Sequence, residues 1–240
     1  MLHCAIALVI CAAEPISAER MAEMQAAWDK TIRDSTIAIE KNPKDINAYS
    51  RRGDAYFFAG KFKEAVADYD KMVELDPASD ASHWRRGIAY FYAGRYAEAA
   101  SQFERYHSFD NVDRENGIWR YLSQVKVSGR EKAREGLLKY AKDDREPFPA
   151  VYELFAGRIT PERILQQIET AKLSADEREK RLFYAELYIG LNEFIEDRPE
   201  SAQRHLERAV KNTWGPNAGY GPNFMWHVAR LQEAALRDRK

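Results

Sequence analysis

The chain has 240 residues, of which 45% are hydrophobic and 31% charged, enough for a packed core and too apolar for a disordered polypeptide. Its 37 Lys and Arg nearly cancel its 38 Asp and Glu, and they form no basic stripe, which argues against nucleic acid as a partner. The 12 Gly and 9 Pro cluster in a few places, a pattern of helices joined by short turns, so the expected fold class is all-α.

Residues 5–13 (AIALVICAA) are an uncharged apolar run of signal-peptide length, broken by Pro15 and followed by the small residues Ser17 and Ala18. Residues 1–18 therefore read as a signal peptide cut before Glu19; an irregular N-terminal segment of a cytosolic protein is the alternative. A run of nine apolar residues is too short to cross a bilayer, which takes roughly 20. Leu8-Val9-Ile10-Cys11 resembles a bacterial lipobox with Ile10 where the pattern has a small residue, making Cys11 a candidate for lipidation. Membrane contact is expected only through such a lipid or an uncleaved signal.

Residues 20–41 read as a helix ending at Asn42-Pro43, which stands 34 positions before Asp76-Pro77. The same lag superposes residues 51–65 on 85–99 with ten of fifteen positions identical, among them Arg51/Arg85, Gly53/Gly87, Tyr56/Tyr90, Gly60/Gly94 and Ala65/Ala99. Small Gly53 and Gly87 mark where the first helix of each pair presses on a neighbour, and Tyr56 and Tyr90 follow one turn later. Gly60 and Gly94 supply the turn, Ala65 and Ala99 the closest helix approach, Tyr69 and Phe103 the groove filling, and Pro77 the end of the first unit. These residues match the tetratricopeptide pattern, which implies a right-handed solenoid of helical hairpins. One unit cannot bury its own face, so neighbours are required. The array is placed at 19–142, as a degenerate unit (19–45), two clear units (46–79 and 80–112) and a weak one (113–142). In the weak unit Trp119, Leu122 and Val125 form one helix, Gly129 the turn, and Ala133, Leu137 and Tyr140 the second helix.

The polar, proline-bearing stretch 143–149 reads as a break, opening a C-terminal helical region at 143–240. Short helices are predicted at 150–156 and 161–170, the second with Thr160 as N-cap and Pro161 at its first position. Ser174 and Glu177 form a capping box that opens a long helix to about Ile195. Gly190, then Ala202, Leu206 and Ala209, repeat the spacing once more, and after a loop at 214–223 a capping helix is predicted at 224–237. That loop reads equally as a recognition lip or as a plain turn.

Phe148-Pro149-Ala150-Val151, Leu154-Phe155-Ala156-Gly157-Arg158-Ile159-Thr160-Pro161-Glu162 and Phe183-Tyr184-Ala185-Glu186-Leu187-Tyr188-Ile189-Gly190 follow in that order. With the helix at Trp119–Leu122, residues 20–212 resemble NlpI-like bacterial tetratricopeptide proteins. The resemblance implies an exported, often lipid-anchored scaffold, the best-known of which bring a periplasmic processing protease to cell-wall hydrolases. A cytosolic assembly or co-chaperone-like module is the alternative, and an envelope hydrolase a third.

The sequence carries no Gly-x-Ser-x-Gly, P-loop or Gly-x-Gly-x-x-Gly, and His83, His107, His205 and His227 have no metal-ligand spacing. No catalytic residue, cofactor or metal is expected; His205 and His227 are placed to meet in the C-terminal bundle, as packed side chains rather than ligands. The first helix of each pair lines the concave side, which puts Ser50, Asp54, Phe57 and Phe58, then Trp84, Ile88, Phe91 and Tyr92, in a groove for a protein partner's helix or extended peptide. The competing reading makes Phe57 and Phe91 inter-repeat core. Asp54 would repel the carboxylate that chaperone-tail readers of this repeat class grip there with Asn or Lys, while Arg51 and Arg85 remain available to acidic groups. The helix around Trp28 is a candidate face for pairing two copies.

Overall fold

A computed structural model describes residues 16–238, so the signal-peptide and Cys11 readings lie outside the described residues except at Ile16, Ser17 and Ala18. Within them the chain is a run of helices: α1 (Ala18–Lys41), α2 (Ile46–Phe58), α3 (Phe62–Leu75), α4 (Trp84–Tyr92), α5 (Tyr96–Phe109), α6 (Arg114–Ser128), α7 (Arg130–Glu135), α8 (Phe148–Phe155), α9 (Pro161–Thr170), α10 (Ala175–Ile195), α11 (Pro199–Lys211) and α12 (Tyr220–Arg237). No strand occurs among the described residues. Polar caps set several starts. Asp45 Oδ1 accepts the Ala48 N–H at 3.1 Å, and Ser174 Oγ accepts the Glu177 N–H at 3.2 Å, satisfying amides that a helix start leaves without partners.

The hairpins α2–α3 and α4–α5 are built alike. A Cβ on Gly53 would lie 2.7 Å from Tyr69 Cε1, and one on Gly87 2.6 Å from Phe103 Cζ, so the glycines let the paired helices close onto those rings. Gly60 and Gly94, with φ of 75° and 77°, turn the chain between the helices in a conformation that side chains with a Cβ rarely adopt. A charged strut recurs with them: Arg52 pairs with Asp68 at 2.7 Å, and Arg86, at the equivalent place, donates to Gln102 from Nε at 2.9 Å. The pair α10–α11 uses the same device, a Gly190 Cβ falling 2.6 Å from Leu206 Cγ.

Two elements depart from expectation. The second helix of the weak unit stops at Glu135 after six residues, and Leu137 does not take the place of Phe103. The non-helical strand of chain that follows carries Tyr140 against Gly117 instead, its hydroxyl donating to the Asp113 carbonyl at 3.2 Å. The last helix starts at Tyr220, four residues earlier than predicted, because Pro222 falls in the first turn, where no intrahelical N–H is needed.

Candidate functional site

The concave face is formed by α2, α4 and α6, and α12 lies in it. Phe224, fully buried, stacks on Phe57 with ring centroids 4.7 Å apart and meets Trp84 edge-on at 5.0 Å. Phe58 stacks on His227 at 4.0 Å, and the Tyr92 hydroxyl donates to Gln232 Oε1 at 3.2 Å. The expectation of an open groove at Ser50, Asp54, Phe57, Phe58, Trp84, Ile88, Phe91 and Tyr92 is therefore corrected: α12 covers the face carried by Asp54, Phe57, Phe58, Trp84 and Tyr92. Ile88 is buried, and Phe91 faces the next unit, its ring 5.5 Å from Trp119, as inter-repeat core.

Asp54 is likewise spoken for. Its Oδ1 accepts from Arg85 Nη1 and from the Tyr69 hydroxyl, both at 2.7 Å, and its Oδ2 from the Tyr220 hydroxyl at 2.6 Å. Arg85 also donates to Ser50 Oγ at 3.0 Å, so it is not free to meet a partner's acid; Arg51 is exposed. Trp28 itself is buried against Phe58 and His227, at 6.4 and 5.5 Å. His205 and His227 do not meet as a pair. His205 Nδ1 lies 2.5 Å from Glu186 Oε2, whereas His227 Nδ1 accepts from Arg230 Nε at 3.3 Å. Burial, with the Arg230 charge adding to it, pushes His227 down to about 3, and burial brings Arg230 down to about 10. The 214–223 loop resolves into a short 3-10 turn, Gly215–Asn217, and the first turn of α12, whose Tyr220 is 54% exposed.

Beside the start of α12 the concave face keeps a cavity of about 190 Å³, walled by Trp84, Tyr106, Trp119 and Tyr184 with Asp113, Glu115 and Arg145 at one side. Arg145 is shared among three carboxylates, Glu115 at 2.5 Å, Asp144 at 3.3 Å and Asp113 at 3.5 Å. Burial raises Glu115 to about 7, with Arg145 opposing and Asp113 adding to the rise. Burial also raises Asp113; for Arg145 it acts downward but is outweighed by Glu115, Asp113 and Asp144, which leave the guanidinium firmly charged. Trp119 Nε1 donates to the Tyr188 hydroxyl at 3.1 Å, and that hydroxyl donates to Glu115. The sequence reading missed this cluster. Arg145 lies in the stretch taken for a break, and Glu115 and Tyr188 are 73 positions apart. Among the described residues no group of three or more His, Cys, Asp or Glu is arranged to hold a metal ion.

With this geometry in place, residues 50–111 match the family model described as tetratricopeptide repeat. These units are tetratricopeptide repeats. No curated protein matches the chain. Among solved structures, a tetratricopeptide repeat protein from Parabacteroides merdae ATCC 43184 is similar, with a TM-score of 0.48 and 15% identity over 91% of this chain and 80% of that one. Tetratricopeptide repeats present their first helices to a common concave surface, and in this chain that surface holds a helix.

Proposed function

We propose that the chain is a non-catalytic protein-binding scaffold of the bacterial cell envelope, exported with residues 1–18 as its signal or lipid-anchored at Cys11. Its proposed clients are proteins of the kind the NlpI-like resemblance implies, a processing protease and cell-wall hydrolases. The observation that carries the scaffold reading is the repeat pair at 50–111, whose first helices build a concave face shaped around a helix.

Clients do not dock by expelling α12. Phe224, Met225, Trp226, Val228 and Leu236 are buried by it, and at roughly 2 kcal/mol each their exposure costs about 10 kcal/mol. That is comparable to the whole stability of a domain, about 5–15 kcal/mol. The client contact is therefore placed at the mouth left open beside α12, where Trp84, Tyr106, Trp119, Tyr184 and the exposed Tyr220 offer aromatic anchors to one inserted side chain of a partner segment.

A photo-cross-linking residue at position 220, in cells expressing the full chain, tests this placement. It should capture a defined envelope protein that the same label at exposed Ile37 on α1 does not. Capture at both positions alike, or at neither, removes the site. Cell fractionation tests the location separately: an N-terminus near Glu19 in the envelope supports export, and an intact Met1 in the cytosol moves the scaffold to that compartment.

A further inference from the structure

The geometry points to an oxyanion-binding site in a second cleft, on the outer side of α6, with Arg114 as its central ligand. Arg114 is only 9% exposed, yet its Nη1 has no hydrogen-bond partner and, among the described residues, its guanidinium enters no ion pair. The Tyr140 ring supports it, with the centroid 5.0 Å from the guanidinium carbon, and Glu153, held first by Arg158, adds a weaker attraction. Burying a cation without a carboxylate is unfavourable, and folded chains avoid it or complete the pair.

The nearby acids are committed elsewhere. Glu153 is held by two nitrogens of Arg158, one at 2.7 Å, and Glu196 by Arg134 Nη2 at 2.6 Å. Asp144 accepts the backbone N–H of Arg114 at 2.8 Å and belongs to the Arg145 cluster. Arg114 thus has an unfilled place for an anion, and it lines a cleft of about 390 Å³ together with Arg134, Lys139 and Arg158. Arg134 is already held by Glu196, and Lys139 is exposed at the rim. Arg134 and Arg158 are spent on Glu196 and Glu153, which leaves Arg114 and Lys139 as the unpaired cations of the cleft against Glu135. Arg114 also borders a cleft of about 580 Å³, but Asp143 and Glu146 line that one and make it the poorer side for an anion.

The smaller cleft takes a compact oxyanion, a carboxylate or a phosphate, on Arg114 with Lys139 at its mouth. A guanidinium presents parallel N–H groups that match either anion with two bonds, which an ammonium does not reproduce. This site is independent of the client contact beside α12.

Calorimetric titration of the full chain with sodium phosphate and, separately, sodium glutarate at constant ionic strength tests it. One of the two should bind where chloride does not: phosphate alone identifies a tetrahedral anion, glutarate alone a carboxylate ligand, and both a general oxyanion site. Arg114→Gln should weaken that binding at least tenfold while melting no lower than the wild type without anion, because a buried unpaired charge is removed and no intramolecular ion pair is lost. Lys139→Glu, on an exposed side chain, should weaken it about tenfold and gives the answer even if the Arg114 variant fails to fold. Absence of binding by both anions, or affinity unchanged by Lys139→Glu or by a folded Arg114→Gln, overturns the assignment.

Discussion

Replacing Phe224 by Ala removes the ring that α12 lays on the concave face. The side chain is fully buried, stacked at 4.7 Å on Phe57 and edge-on at 5.0 and 5.3 Å to Trp84 and Phe58. Losing its transfer free energy and leaving a hole costs about 3–5 kcal/mol for such a site. The stacked and edge-on ring pairs put Phe224→Ala toward the upper end, each being worth about 0.5–1.5 kcal/mol beyond area. Because Phe57, Phe58 and Trp84 belong to α2 and α4, the loss should appear in the unfolding of the repeats and not only of the last helix. Urea titration followed by far-ultraviolet circular dichroism measures it. The midpoint should fall in a single transition shifted by about 4 kcal/mol. A loss below about 1 kcal/mol would refute the reasoning, for it would mean that α12 does not rest on the concave face in solution and that the groove is open after all.

Two further outcomes are expected. Gly87→Ala should destabilise by about 1–3 kcal/mol, since its Cβ would meet the buried Phe103 ring at 2.6–3.0 Å, and Phe103→Leu in the same chain should recover part of it; thermal melts of the three variants check this. Glu115, at about 7 in the folded chain against 4.5 unfolded, holds a proton between those pH values that the unfolded chain has released, so its share of stability is full below 4.5 and is lost as pH rises through 7. Glu115→Gln should therefore gain on the wild type by up to about 3 kcal/mol between pH 5 and pH 8, and urea titrations at the two values that show no relative gain would contradict it.

The hairpins at 46–112 were legible because each carries its own instructions: a glycine at the close approach, a glycine at the turn and a bulky ring sixteen residues after the first. These are local, and they repeat. What covers the concave face was not legible. The helix predicted at 224–237 reads as any terminal cap, and nothing near Phe224 in sequence says that it faces Phe57 rather than a neighbouring hairpin. The bond from Tyr220 to Asp54 spans 166 positions. The acid cluster around Arg145 was hidden for the same reason, its partners being brought in by α6 and α10. The α7 segment misled in the opposite sense, since Leu137 kept the repeat's spacing after Glu135 had ended the helix.

An open solenoid grows by adding units to a free end, and each unit is complete once the next has docked. Here α12 returns to the first hairpins. On the ribosome, Phe57, Phe58 and Trp84 leave the exit tunnel long before Phe224 exists to cover them, so a nascent chain carries an uncovered aromatic trough through most of its synthesis. That interval is when the repeats are most open to chaperones and to wrong partners, and the arrival of α12 closes it. Premature termination anywhere before residue 220 would leave the trough permanently unfilled, giving a truncated product prone to self-association in place of a shorter working array.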